Sequence, residues 1–317
     1  MASVIKKSND RTASIHRVGD ESAFAPGGFD VAALSAGAAL TATEAVLSGR
    51  VASAYALSRP PGHHATRATG GGFCLFNNVA VAALHALEVK GLERVAIVDF
   101  DVHHGNGTQD IFYDDGRVLL ISLHQDNNYP LHSGPLTDVG AGDGEGYTIN
   151  VPLPPGSGSG AYRAAFERVV LPALEAYRPQ MIFVSAGFDA AFLDPLSAQM
   201  LGSDDYRFFG AALASCADEL CGGRLLALHE GGYSPALVPF CGLAFVEAIS
   251  GAKTEIVDPY MESAEAWGYQ DLQPWQDALI ARVEEGPLAL LRSKVGEGAA
   301  NGGKANGGAP VAQKKAA

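Results

Sequence analysis

Residues 94–113 read RVAIVDFDVHHGNGTQDIFY. The first part, Arg94–Phe100, is short and almost continuously apolar, the pattern of a β-strand covered on both faces. It runs straight into Asp99, Asp101, His103, His104 and Asn106. A buried strand that delivers carboxylates and imidazoles at its carboxyl end suits an open α/β sheet, where ligands gather outside that edge. The rest of the chain repeats the alternation. Ala52–Ser58, Arg117–Leu123, Tyr147–Leu153, Met181–Gly187 and Arg224–Glu230 read as further strands. Phe29–Leu47, Asn77–Val89, Ala161–Tyr177, Asp204–Leu220, Pro235–Ile249 and Pro274–Leu291 read as helices, the third kinked or split at Pro172. This order predicts one α/β domain with a mostly parallel central sheet and right-handed crossovers.

Composition narrows the function classes. The 317 residues hold 22 Lys or Arg against 35 Asp or Glu, a net charge of −13, and 47% are hydrophobic. That apolar content excludes disorder of the whole chain. The acidity argues against direct nucleic-acid binding, which rests on Lys and Arg neutralising phosphates. Cys74, Cys216, Cys221 and Cys241 form no CxxC pair and are too scattered for a disulfide framework; Cys216 and Cys221 read as small apolar helix residues. The opening MASVIKKSNDRTASIH lacks the apolar core of a secretory signal, and no stretch is read as a membrane span of roughly 20 apolar residues. The expected setting is reducing and cytoplasmic, with the nucleus open to a eukaryotic source. Residues 297–317 are expected to form a disordered tail. The Gly-rich stretches Gly70–Phe73 and Gly140–Gly146 lack a following GK[ST] and read as tight loops, and Pro154–Gly160 as a strand-to-helix turn with Ser159 as a candidate N-cap.

The strand ends carry the unusual residues. RPPGHHA brings His63 and His64, GFDAAFLDP brings Asp189, and HEGGYS brings Tyr233. In an extended segment residues i and i+2 point the same way, so Asp101 and His103 can converge on one ion, with Asp189 arriving from a neighbouring loop. Three protein ligands and an open position form the pattern of a catalytic zinc site, and two carboxylates with one imidazole suit Zn2+, Fe2+ or Mn2+. The tandem His63–His64 reads as a general base and acid beside an electrostatic partner, each needing an acceptor for its far ring nitrogen; Asp99 and Asn106 are the candidates. Tyr233, after two glycines, reads as a phenol that polarises a carbonyl and stabilises a tetrahedral oxyanion.

Taken together, RPPGHHA, GGGFCLFNNVAVAAL, IVDFDVHHGNGTQDIFY, SAGFDAAFLDPL and HEGGYS resemble the zinc-dependent histone deacetylase superfamily, in particular its class II branch and the bacterial histone-deacetylase-like amidohydrolases, from Ala25 to Gly251. The resemblance implies a three-layer α/β/α arginase-like fold and hydrolysis of an acetylated amine to acetate and free amine. It implies Asp101, His103 and Asp189 as zinc ligands, with Fe2+ as an alternative metal. His64 matches the general base and acid, His63 its electrostatic neighbour, Tyr233 the polarising phenol, and Asp99 and Asn106 the residues that orient the histidines. Gly72 and Phe73 match residues flanking the acetyl-lysine stem. A structural K+ would use Asp99, Asp101, His103, Ser122 and Leu123, and a weaker cation site would lie near Phe112, Asp115, Val118 and Tyr147.

The same resemblance shapes expectations for substrate and boundaries. Leu196 occupies the place of the acidic gatekeeper found in relatives that prefer acetylated polyamines, which favours acetyl-lysine in a peptide or protein, or another small acetylated amine. The alternatives are an acetylpolyamine amidohydrolase, a two-manganese ureohydrolase, for which too few ligands are present, and a catalytically silent module that binds acyl-lysine. Self-association into a homo-oligomer stays open. Only 62 residues precede His63, fewer than the resemblance implies. Residues 1–24 are therefore expected as a shortened segment without a strand, leaving the tunnel short of one wall, ahead of a catalytic domain at 25–296.

Overall fold

The computed structural model describes residues 2–10, 12, 14–268 and 270–302. Near the N-terminus β1 (His16–Arg17) pairs antiparallel with β2 (Ala23–Phe24) in a small ribbon. The central sheet contains β3 (Ser53–Ala56), β4 (Val95–Asp99), β5 (Val118–Gln125), β6 (Thr148–Leu153), β7 (Ile182–Ala186) and β8 (Leu225–His229). All its pairings are parallel, in the order β3-β8-β7-β4-β5-β6.

The apolar runs explain the layering. Side chains alternate across a strand, so each run can feed two cores. Ala96 and Val98 of β4, with Leu119, Ile121 and Leu123 of β5, join one cluster with Tyr162, Phe166, Phe209 and Phe245 from the helices on that side. Val95, Ile97, Val118 and Leu120 face the other way, against Ala39, Val46, Val79 and Ala83. These side chains are fully or almost fully buried, and burying each Val, Leu, Ile or Phe contributes about 1.5–3 kcal/mol. The three-layer α/β/α expectation is met.

The topology also locates the site. From β4 the chain moves outward through β5 to β6, whereas β7 returns to the other side of β4 and leads to β8. β4 and β7 are therefore neighbours at the point where the winding reverses, the crevice in which such sheets bind ligands. Asp101 and His103 follow β4, and Asp189 follows β7.

Several details differ from the sequence reading. The helix over 159–177 consists of Ser159–Ala165, a π-turn Phe166–Val170 and Leu171–Tyr177, with Pro172 in the first turn of the last piece, so the break falls where proline predicted it. Gly158, not Ser159, stands at the N-cap; the Ser159 hydroxyl donates to Asp205 at 2.8 Å. A short helix, Asn106–Phe112, was not foreseen, because seven residues containing glycine give no readable 3.6-residue period. Contrary to the strandless reading, residues 1–24 include the helix Ala2–Asn9 and both strands of the ribbon. The helix Gly28–Leu47 is long and apolar enough, by length and composition alone, to cross a membrane, a test that the packed helix of a globular domain also meets. It buries Ala32, Ser35, Ala39, Thr43 and Val46 against the domain, and Ser35 donates to the Pro60 carbonyl at 2.8 Å. Of the expected tail, residues 297–302 belong to the helix Ala289–Gly302 and the remainder lies outside the described residues.

Candidate active site

The Asp99–Asn106 loop folds tightly because its own carboxylates cap its backbone. Asp101 N–H donates to Asp99 Oδ1 at 3.1 Å, and His103 N–H donates to Asp101 Oδ1 at 2.9 Å. Val102 N–H reaches the neighbouring loop, donating to Asp189 Oδ1 at 2.8 Å. These bonds turn Asp101, His103 and Asp189 inward, and their ligand atoms lie within 4.8 Å of one another. His103 Nδ1 is 3.0 Å from Asp101 Oδ1 and 3.0 Å from Asp189 Oδ2. All three residues are buried.

This donor set fits a divalent metal. Burial opposes charge on His103, yet its hydrogen bond to Asp101, the close Asp189 carboxylate and the charges of both outweigh burial and hold the imidazole up at about 11. Asp189 is pushed up to about 7 by burial and by the Asp101 charge. Buried acids and an imidazole that together attract positive charge suit a cation at their centre. Asp189 Oδ2 accepts no well-formed hydrogen bond, a buried oxygen free to ligate. Gly187 and Gly231 allow the close approach: a Cβ at Gly187 would fall 2.2 Å from Asp101 Oδ2, and one at Gly231 2.1 Å from Asp189 Oδ2.

The tandem histidines stand beside this cluster. His63 Nδ1 is 3.0 Å from Asp99 Oδ2, and His64 Nδ1 is 2.8 Å from Asn106 Oδ1. Both imidazoles are buried, but their surroundings drive them apart. Burial lowers His63, and the charges of Asp101 and Asp99 outweigh it and raise the group to about 10. Burial and the neighbouring His63 charge push His64 well below the usual imidazole value. Opposed shifts in adjacent titratable groups mark an assigned division of labour.

A cavity of about 580 Å3 opens over the cluster, lined among others by His64, Gly72, Phe73, His103, Leu196 and Tyr233. Phe73 and Tyr233 meet edge to face with ring centroids 6.1 Å apart. Gly72 has φ +47°, and a Cβ there would fall 2.2 Å from His64 Cδ2, so glycine is required beside the imidazole. Burial pushes the Tyr233 phenol far above its ordinary range, keeping it a hydrogen-bond donor. Its loop is held by Asp194, which accepts from Tyr233 N–H at 2.7 Å and Ser234 N–H at 3.2 Å.

Four contributors escaped the sequence reading. Tyr129 lines the cavity and sets its ring edge-on to His64 at 4.9 Å, from a loop with no motif to flag it. Arg17 and Glu21 line the mouth, so residues expected to leave a wall open supply part of one. Glu230, inside a motif already singled out, buries its carboxylate under the histidine loop; burial pushes it up to about 7. A Glu closing a strand built on the apolar run Leu225–Leu228, one residue beyond His229, was the available signal.

Of the residues expected for the structural cation, Asp99 stands opposite Ser122 in the β4–β5 ladder, with Leu123 next along the strand. The Ser122 hydroxyl and His124 Nδ1 are 2.9 Å apart. At the weaker site, the Phe112 and Asp115 carbonyls accept the N–H groups of Asp115 and Val118 at 3.1 and 3.2 Å, and the Tyr147 carbonyl that of Leu120 at 2.9 Å.

Comparison with known proteins agrees with this geometry. Residues 1–249 match the family model described as histone deacetylase domain. The chain is 49% identical over 268 residues to a histone deacetylase-like amidohydrolase of Pseudomonas aeruginosa, covering 84% of this chain and 70% of that one. It is 44% identical over 226 residues to a probable deacetylase of Archaeoglobus fulgidus, covering 71% and 62%. Over 223 residues it is 45% identical to the polyamine deacetylase HDAC10 of Rattus norvegicus, covering 69% of this chain but 37% of the rat protein. The solved HDA15 HD domain superposes with a TM-score of 0.81 at 33% identity, over 96% of this chain and 79% of that one.

Proposed function

The chain belongs to the histone deacetylase family, and from that premise we propose that it is a zinc-dependent amidohydrolase that removes the acetyl group from acetyl-lysine in a peptide or protein. The observation that carries this reading is the convergence of Asp101, His103 and Asp189 under a cavity whose lining includes His64 and Tyr233. Asp101, His103 and Asp189 would hold a zinc ion, which when bound would supply Lewis-acid polarisation of the acetyl carbonyl and acidify water at neutral pH; Fe2+ would suit the same donors.

The chain's own groups do the rest. Asn106 Oδ1 accepts the Nδ1–H of His64, which leaves Nε2 with its lone pair toward the cavity. His64 therefore takes a proton from the attacking water. The Tyr233 phenol donates to the acetyl oxygen and follows it as negative charge develops there. Protonated His64 then delivers the proton to the departing lysine nitrogen, the C–N bond breaks, and acetate and free amine result. His63, kept cationic by Asp99 and Asp101, lends a fixed positive charge and holds its neighbour's proton affinity down. Gly72 and Phe73 flank the aliphatic stem. The expected structural K+ at Asp99, Asp101, His103, Ser122 and Leu123 is part of this proposal, supported by the Asp99–Ser122 register.

A second substrate reading is an acetylated polyamine, and Glu21 favours it by placing a carboxylate at the mouth. Arg17 lines the same mouth and Leu196 is apolar, so acetyl-lysine remains the preferred substrate. Parallel acetate-release assays on an acetyl-lysine peptide and acetylated polyamines, with and without chelator, test the proposal. Zinc binding without turnover of either would instead identify a silent acyl-lysine-binding module.

A further inference from the structure

We infer that Glu230 is a positioning residue whose buried carboxylate locks the backbone of the tandem-histidine loop in the register that lets His64 reach the reacting water. The inference rests on the deacetylase reading and goes beyond it, since the mechanism above uses no group at this position.

Glu230 directly follows β8 and extends toward the loop after β3, the neighbouring strand. Its Oε2 accepts the N–H of Gly62 at 2.6 Å and that of His63 at 3.2 Å. Its Oε1 accepts the hydroxyl of Ser185, on β7, at 3.3 Å. One carboxylate thus ties the carboxyl ends of three adjacent strands. Ser35 and Asn78 hold the Pro60 carbonyl at 2.8 and 3.0 Å, but Pro60 and Pro61 have no N–H to donate, so the first amides the loop offers are those of Gly62 and His63. Thr108 N–H holds the opposite side through the His63 carbonyl at 3.1 Å.

The next residue completes the joint. Gly231 N–H donates to Asp101 Oδ2 at 2.7 Å, and the Gly231 carbonyl accepts from Phe188 N–H at 2.9 Å, one residue before Asp189. Side chain and backbone of consecutive residues therefore connect the loop that carries the base to both loops that carry ligands. Asp99 and Asn106 orient the imidazole rings; Glu230 fixes the main chain from which the rings project. A shift of that main chain changes the distance between His64 and the acetyl carbon without altering the cavity mouth, so it acts on kcat and spares substrate affinity.

Two variants separate position from charge. Glu230→Gln keeps the length, and its amide oxygen accepts both N–H groups while its NH2 faces Ser185. Glu230→Asp keeps the charge but is too short to span the gap. On zinc-loaded full-length protein with an acetyl-lysine peptide, Glu230→Gln should retain kcat within about threefold, whereas Glu230→Asp should lose about 10- to 100-fold with KM within about twofold. Hydrogen exchange at the Gly62 and His63 amides reads the same contact without turnover: protection persists in Glu230→Gln and falls in Glu230→Asp. If the unsubstituted protein releases no acetate, the deacetylase reading fails, while the exchange result still decides whether Glu230 holds the loop. Equal kcat loss in both variants, loss confined to Glu230→Gln, or amides equally protected in Glu230→Asp would overturn the inference.

Discussion

His63 and His64 are adjacent in the chain and sit in opposite electrostatic settings. His63 Nδ1 faces the Asp99 carboxylate at 3.0 Å, and His64 Nδ1 faces the uncharged Asn106 amide oxygen at 2.8 Å. The first imidazole is raised to about 10 and the second is lowered well below 6.5. That contrast supports the assignment of His64 as proton acceptor, because it is neutral at working pH.

The pH profile should follow from it. Loss of kcat/KM on the acid side should come only well below pH 6.5, as His64 becomes protonated and can no longer accept. Asn106→Asp places a carboxylate beside the imidazole, favours the charged form and raises its proton affinity. The acidic limb of kcat/KM should therefore move to higher pH in the variant. An unmoved or downward-moved limb would remove His64 from the base role.

His64→Ala and Tyr233→Phe should leave folding and zinc content intact while nearly abolishing acetate release. Loss of the Tyr233 donor should cost on the order of 10²–10³ in kcat, as at other oxyanion-stabilising donors. Circular dichroism, zinc analysis and steady-state kinetics on the same preparations check this. Near-normal turnover in both variants would contradict the mechanism.

Gly231→Ala should impair metal binding. Its Cβ would stand 2.1 Å from Asp189 Oδ2 and 2.6 Å from Asp101 Oδ2, so the two carboxylates must separate. Zinc titration should show at least about tenfold weaker affinity, the range found when groups that support metal ligands are disturbed. Affinity equal to that of the unsubstituted protein would show that the ligands tolerate the displacement.

Legibility in the sequence followed the kind of information each residue carries. The strands that build the sheet are short apolar runs bounded by polar loops, so β3 through β8 could be placed from pattern alone. Asp101 and His103 were readable because their i, i+2 spacing fixes a shared direction. Asp189 and Tyr233 came from unusual residues at other strand ends. Tyr129 was not readable, since a lone aromatic in a long loop has no periodicity, and its approach to His64 is a tertiary fact. The wall formed by Arg17 and Glu21 was missed because two-residue strands give no alternating pattern. The helix Asn106–Phe112 was hidden by the same motif that made the loop conspicuous, its glycines reading as a turn.

Charge at the cavity mouth should tune substrate choice. Leu196 is 42% exposed there, so Leu196→Glu adds a carboxylate where a distal ammonium would pass. The ratio of kcat/KM for an acetylated polyamine over an acetyl-lysine peptide should rise about two- to fivefold, the range of a solvent-screened ion pair. Glu21→Gln should lower the same ratio, and high salt should flatten both effects. Ratios unchanged in both variants would place the polyamine ammonium away from this mouth.

The proposed chemistry is metal-dependent amide hydrolysis at Asp101, His103 and Asp189. Its most direct test is acetate release from an acetyl-lysine peptide by the full-length protein, followed through chelation and stepwise return of zinc. Acetate and free amine should form in equal amounts, release should be lost on chelation, and it should recover fully at one zinc per chain. Release that continues unchanged in the metal-free protein, or its absence in protein carrying one zinc per chain, would contradict it.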